Sequence, residues 1–281
     1  MMDKVIISVA VTGSWTTRQH TPYVPLTPEE IAQHVVDSWR EGAAIAHIHV
    51  RDDEGRPTSD PQRYARVREL VRAQGCDVVL NFTTGGGAGQ ASEEERLAPV
   101  RLRPEIASFD AGSLNFNDRV FVNSPQFLER LAQEMLTYGV KPEIECFDTG
   151  HIENARRLID RGLIQPPFWF QLVLGVRGGA PATADQLVHM VRQLPPGAHW
   201  SVCAIGRHQL PMNLIALAMG GHVRTGLEDN VYYHYRVLAE SNAQLVARLV
   251  RIARECGREI ASPADVRALL QLTPQPDILS S

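Results

Sequence analysis

Ala43-Ala44-Ile45-Ala46-His47-Ile48-His49-Val50 is an apolar, β-rich run that turns polar only near its end, and Arg51-Asp52-Asp53 follows at once. Side chains two residues apart on an extended chain point the same way. His47 and His49 therefore project together from the C-terminal end of a strand. The layout recurs along the chain, with strands expected at Val5–Thr12, Ala44–Val50, Val78–Phe82, Ile106–Asp110, Glu143–Phe147, Trp169–Leu174, Trp200–Ala204 and Val223–Gly226. Between them lie segments of helical period near Pro28–Arg40, Pro61–Ala73, Glu93–Leu102, Pro125–Tyr138, Ile152–Arg161, Ala184–Leu194 and Pro211–Met219, and a long one at Val237–Cys256. Thr27-Pro28-Glu29-Glu30 opens its helix with a capping Thr, a Pro in the first turn and acids facing the dipole. Ser92-Glu93-Glu94-Glu95 and Ser124-Pro125 repeat the logic.

Eight strand–helix units in 281 residues suit a (β/α)8 TIM barrel, which typically needs about 250. A doubly wound open sheet has the same periodicity. The polar residues favour closure: His47 and His49, Asn81 and Thr83, Ser108 and Asp110, Glu143 and Glu145, and Arg224 and Glu228 gather at the C-terminal ends of strands. A barrel brings those ends to one mouth, whereas an open sheet spreads them along a line. No linker rich in Pro, Gly or Ser divides the chain. The expectation is one domain over residues 1–281, with 237–281 as a C-terminal helical segment and a Pro-containing tail from Thr273 to Ser281.

Apolar content of 44% and charged content of 21% describe an ordinary soluble globular protein. A net charge of −4 and the lack of a basic run give no reason to expect nucleic acid or an anionic membrane as partner. No apolar stretch is long enough to span a bilayer, and Met1 to Val9 reads as the start of a strand rather than as a signal peptide. Cys76, Cys146, Cys203 and Cys256 are scattered, with no CxxC pair, as expected of reduced thiols. A cytoplasmic protein follows.

Two convergent imidazoles with a third ligand make a first-row metal site, most simply zinc; the alternative is a hydrogen-bonded pair of core histidines. Gly221 to Asn230 is the second rich patch. Arg224, Gly226 and Glu228 share a parity there, so Glu228 can complete a His, His, Glu set with a fourth position open for substrate. Arg224 within an apolar strand needs a carboxylate: Asp229, Glu145 or a substrate acid. Spacing alone favours a structural pair with Glu143 or Glu145. Glycine-rich turns at Gly85-Gly86-Gly87, Gly175 to Gly179 and Gly206 allow close backbone approach to an anion or carbonyl. None matches a nucleotide-phosphate pattern. Arg177 and Arg207 are candidate contacts for the phosphates of a larger ligand.

His47-Ile48-His49-Val50-Arg51, Thr83-Thr84-Gly85-Gly86, Pro142 to His151, Ile205-Gly206-Arg207-His208-Gln209-Leu210-Pro211 and Gly221 to Asn230 together resemble the β-keto acid cleavage enzymes, among them the kind acting on 3-keto-5-aminohexanoate. The similarity runs from the first strand to at least Tyr233. It implies a zinc-dependent (β/α)8 barrel, with another divalent transition metal as an alternative, that condenses a β-keto acid with acetyl-CoA and yields acetoacetate and a shortened acyl-CoA. By that resemblance His47, His49 and Glu228 are metal ligands, Arg224 and Asp229 the proton-abstracting pair, and Glu145 the acid on the fifth strand, with Glu143 its alternative. Thr83 and Ser108 fall where the family has small hydroxyl residues near substrate, with Gly85 and Gly86 in the same turn. A homo-oligomer is also implied, a tetramer being one form, with Val237–Cys256 and the tail as interface candidates.

The chain departs from the pattern in the turn Gly13-Ser14-Trp15-Thr16-Thr17-Arg18, where the enzyme acting on the amino-keto acid carries a glutamate suited to an ammonium group. Trp15 cannot form that ion pair. It favours an apolar tail or a quaternary ammonium, or else packs on the barrel rim. Two other catalytic readings compete, a metal-dependent hydrolase and an aldolase-type lyase, and a small-molecule sensor is the non-enzyme alternative. Hydrolase barrels draw further histidines from later strands, whereas His151 and His208 are expected in loops here. CoA dependence separates these readings.

Overall fold

The computed structural model describes residues 4–272. Eight parallel strands close into a TIM barrel: β1 (Ile7–Ala10), β2 (Ile45–Ile48), β3 (Val79–Phe82), β4 (Ile106–Asp110), β5 (Lys141–Cys146), β6 (Trp169–Leu174), β7 (His199–Ala204) and β8 (His222–Thr225). Seven of the surrounding helices, α1 (Pro28–Arg40), α2 (Pro61–Ala73), α3 (Glu93–Arg101), α4 (Pro125–Tyr138), α5 (Thr149–Asp160), α6 (Ala184–Arg192) and α7 (Gln209–Ala218), alternate with the strands. Two more, α8 (Asn242–Glu255) and α9 (Pro263–Leu270), follow β8.

Local chemistry sets these boundaries. Thr27 accepts from the Glu30 amide while Glu30 accepts from the Thr27 amide, a reciprocal cap that satisfies two donors the first turn of α1 would leave unpaired. Ser92 with Glu95, and Ser262 with Asp265, cap α3 and α9 in the same way. The strands are almost wholly buried because barrel side chains face either the filled interior or the helix layer.

Closure depends on β1, which pairs with β2 through Ala10 opposite His47 and with β8 through Ser8 opposite Arg224. The second and last strands thus become neighbours of one strand. At the opposite end Ile45, Val79, Ile106 and Trp169 form an apolar cluster with Val266 and Leu270 of α9, which closes the barrel floor. Each such buried Ile or Leu contributes about 1.5–3 kcal/mol.

Besides shifts of a few residues at element ends, three features differ from the sequence reading. His49 lies just past β2, because Val50–Arg51 leaves the barrel to pair antiparallel with Pro57–Thr58. Leu114–Phe116 and Arg119–Phe121 form a second hairpin over the mouth. The long helix expected from Val237 starts only at Asn242, capped by Ser241. Val237–Leu238 is instead a strand paired with Tyr232–His234. The apolar stripe of α8, including Leu245, Val246 and Leu249, is buried, and α8 packs on α1 and β1. The tail from Thr273 onward lies outside the described residues. Among the described residues no helix is long and apolar enough to cross a membrane.

Gly226 ends β8 with φ +139°, and a Cβ there would lie 2.0 Å from the Ala10 carbonyl oxygen. Gly226→Ala should therefore destabilise by about 2–4 kcal/mol in urea unfolding. Gly150→Ala, where a Cβ meets nothing within 4 Å in the first turn of α5, should be neutral or stabilise by up to about 1 kcal/mol.

Candidate metal centre and active site

His47 and His49 face the mouth together, their ring centroids 5.1 Å apart. Their Nε2 atoms lie 3.6 and 3.4 Å from Glu228 Oε1, respectively. One donor atom from each residue falls within 4.8 Å of the others. Gly13 makes the approach possible: a Cβ at that position would sit 2.5 Å from Glu228 Cγ. Arg51 fixes the Gly13 turn, its buried guanidinium donating to the Gly13, Thr16 and Gly55 carbonyls at 2.8, 2.9 and 2.9 Å.

The donor set fits a divalent cation. Glu228 Oε2 is buried without a hydrogen-bond partner. Burial opposes its ionisation, yet His49, His47 and Arg224 together hold the carboxyl well below the usual range. Burial also depresses the His49 pKa against the pull of Glu228, favouring the neutral imidazole that ligates metals. Behind His47, Glu143 accepts from Asn81 Nδ2 at 2.6 Å and Trp169 Nε1 at 2.8 Å. Its Oε1 is 3.6 Å from His47 Nδ1, which has no hydrogen-bond partner. A carboxylate behind a ligating histidine is the usual means of fixing tautomer and ring orientation.

Arg224 is the hub of the polar wall. It donates to Asp229 through Nε and Nη2, both at 3.0 Å, to Glu145 through Nη1 at 3.2 Å and to Glu228 through Nη2 at 2.7 Å. Of the protein carboxylates left open by the sequence, Asp229 and Glu145 thus meet this guanidinium and Glu143 does not. One buried cation among three carboxylates leaves a surplus of negative charge. Burial, then the neighbouring Asp110, raises the Glu145 pKa. Burial likewise raises that of Asp229, with Arg224 opposing and Glu228 reinforcing.

The cavity at this mouth is lined by Ser14, His47, His49, Thr83, Gly85, Asp110, Glu145, Arg224, Glu228 and Asp229, among others. Ser108 is buried behind Thr83, its Oγ 3.4 Å from Thr83 Oγ1 and accepting from the Thr84 amide at 3.0 Å. Gly86 faces Arg96 and Ala91 rather than the cavity. Trp15 is 53% exposed outside the lining, with the Arg119 guanidinium 5.9 Å from its ring. Arg177 and Arg207 are exposed, Arg177 being paired with Asp118 at 3.2 Å. His151 is in the first turn of α5, not a loop, its Nδ1 accepting from the Phe147 amide at 3.2 Å, and His208 ends a 3-10 turn. Sequence reasoning gave no role to Gly13, Arg51 or Asp110. A glycine just past the first strand, and a lone Arg after the His pair, were the available signals.

A sequence profile of the β-keto acid cleavage enzymes matches residues 4–272. The chain is 45% identical to a 3-keto-5-aminohexanoate cleavage enzyme of Fusobacterium nucleatum, over 97% of this chain and 99% of that protein. It is 41% identical to a 3-oxoadipate:acetyl-CoA acetyltransferase of Cupriavidus necator, over 97% and 96% of the two chains. Among solved structures, apo ObcA superposes with a TM-score of 0.81 at 23% identity, covering 89% of this chain and 66% of that one, a likeness of fold. With the profile spanning the whole barrel and two such relatives matched nearly end to end, the chain belongs to the β-keto acid cleavage enzyme family.

Proposed function

We propose that this protein condenses a β-keto acid with acetyl-CoA and cleaves the adduct to acetoacetate and a shortened acyl-CoA. The observation that carries this reading is the two-pronged Arg224–Asp229 pair set beside His47, His49 and Glu228 in one cavity. The names of the relatives support it, since one is an acetyl-CoA acetyltransferase of a keto acid. We read residues 4–272 as one domain. Two imidazoles and one carboxylate with a free position suit Zn2+, and also other divalent transition metals. Free cysteines are consistent with a cytoplasmic setting, and the exposed Tyr232, Tyr235 and Val237 with a homo-oligomer.

His47, His49 and Glu228 would hold the divalent cation, whose Lewis acidity would favour loss of a proton from C2. The chain's own residues do the rest. The Thr83 hydroxyl, at the cavity wall, donates to the substrate carboxylate. Asp229 takes the C2 proton, its raised proton affinity suiting it as base, while Arg224 holds both its oxygens. Guanidinium itself remains protonated throughout. C2 then bonds to the acetyl carbonyl carbon and CoA thiolate leaves. The thiolate adds to the original C3 ketone, the C2–C3 bond breaks with its electron pair on C2, and the proton held by Asp229 returns there. A hydrolase or an aldolase-type lyase would turn over without CoA.

Acetoacetate formation from a panel of β-keto acids, with and without acetyl-CoA, tests the reading; turnover that ignores acetyl-CoA would refute it. Glu228→Gln should lose bound metal and activity together. Asp229→Asn should keep its metal and lose about 100- to 10,000-fold in turnover, so an active variant removes Asp229 from the base role. Glu143→Gln should fold normally yet bind metal about 10- to 100-fold more weakly, as read by chelator competition.

A further inference from the structure

The mouth has two unlike halves, and the sheet order separates them. β8, β1, β2 and β3 are successive neighbours, and they or the turns after them carry Arg224, Glu228, Asp229, Ser14, His47, His49 and Thr83. β4 to β7 are likewise successive neighbours. The segments at their C-terminal ends supply Phe116, Phe121, Phe147, Val173, Val176 and Ile205 to the same cavity, and these pack into one apolar cluster. Phe116 meets Phe121 and Phe147 edge to face, with centroids 6.4 and 5.9 Å apart. Of the acids on these strands, Asp110 and Glu145 line the cavity, and Asp110 Oδ2 is buried without a hydrogen-bond partner. Glu145 accepts from Arg224, and Asp110 lies 3.9 Å from the Arg96 guanidinium.

From this division, and resting on the reaction proposed above, we infer that the β-keto acid taken by this enzyme carries an uncharged, apolar chain beyond its ketone. A substrate whose carboxylate meets Thr83 and whose C2 meets Asp229 occupies the polar half with its reacting end. Its remaining carbons extend toward the phenyl rings and valines of the other half. A buried carboxylate there meets no cation among the rings and valines, an ammonium meets only Asp110 and Glu145, already set against Arg96 and Arg224, and desolvating either charge is expensive. An alkyl chain instead gains from each methylene it buries. The two relatives are named for keto acids whose tails differ in charge, an amine and a second carboxylate. Family membership therefore leaves the tail open, and the wall decides it.

The test uses three six-carbon β-keto acids with saturating acetyl-CoA: 3-oxohexanoate, 3-keto-5-aminohexanoate and 3-oxoadipate. Wild-type kcat/KM should favour 3-oxohexanoate by about 100-fold or more over both charged acids, and lengthening its chain should add about fourfold per methylene until the wall is filled. Val176→Asp should shift preference toward the amino acid by about tenfold or more while leaving the KM for acetyl-CoA unchanged. Phe116→Ala, on the hairpin and away from the metal ligands, should weaken 3-oxohexanoate selectively with metal content intact. Preference of the wild type for either charged acid overturns the inference and leaves the reaction standing. Unchanged keto-acid ratios with a raised acetyl-CoA KM in both variants would assign the wall to the co-substrate, which also overturns it. No CoA-dependent turnover of any of the three refutes the reaction itself, and the inference with it.

Discussion

A single buried guanidinium holding three carboxylates is the interaction around which the active mouth is organised. Arg224 sits on β8, out of solvent, and donates to Asp229, Glu145 and Glu228 at 2.7–3.2 Å. A buried cation without partners would be prohibitively destabilising, and so would three buried carboxylates without a cation. Each side of the arrangement therefore requires the other. Neighbouring carboxylates raise the proton affinity of Arg224 despite its burial, so it remains a fixed positive charge. Burial first, and then neighbouring carboxylates that one cation does not neutralise, keep the proton affinities of Asp229 and Glu145 raised beside it. The excess negative charge suits the proposed chemistry, in which a proton would be taken up and a divalent ion held.

That cluster exists only because β1 lies between strands far apart in the chain. Pairing of Ala10 with His47 and of Ser8 with Arg224 fixes the register on both sides, and a shift by one residue would turn the polar set away from the cavity. Two glycines let the backbones come close enough. Gly226 passes against the Ala10 carbonyl, and Gly13 leaves room for Glu228. Arg51 then ties the loop after β1 to the end of the His-bearing segment through three carbonyls. The candidate metal donors are thus positioned by backbone contacts and buried polar bonds.

Much of this was legible in the sequence, and for a definite reason. Side chains on a strand alternate with period two, so the spacing His47-x-His49 and the shared parity of Arg224 and Glu228 are direct statements about direction. Polar residues at the ends of otherwise apolar strands signal a barrel mouth for the same reason. What escaped depends on packing at longer range. Parity allows both Glu143 and Glu145 to face inward, and only the assembled barrel sends Glu145 to Arg224 and Glu143 behind His47. The hairpin carrying Phe116 and Phe121 has no local pattern that reveals what lies beneath it. Trp15 has a bulky ring suited to a pocket, yet it is outside the lining with Arg119 near its face. The start of α8 was misplaced because Val237 and Leu238 continue its apolar run. The capping sequence Ser241-Asn242-Ala243-Gln244 marks the true start, with Gln244 accepting from the Glu240 amide at 3.0 Å.

The division of the mouth extends the same logic from catalysis to selection. In the proposed reaction, charge at β8, β1, β2 and β3 would bind the part of a β-keto acid that every substrate shares: a carboxylate, a ketone and the acidic carbon between them. That half can vary little without losing the chemistry, since the groups that would bind metal, move the proton and orient the base are hydrogen-bonded to one another. The wall from β4 to β7 has no such obligation. Its rings and branched side chains make apolar and edge-to-face contacts with one another, and none of them hydrogen-bonds Arg224, so substitutions there change shape and polarity without removing its partners. A barrel built this way keeps one reaction fixed on half its rim and leaves the other half free to choose the substrate.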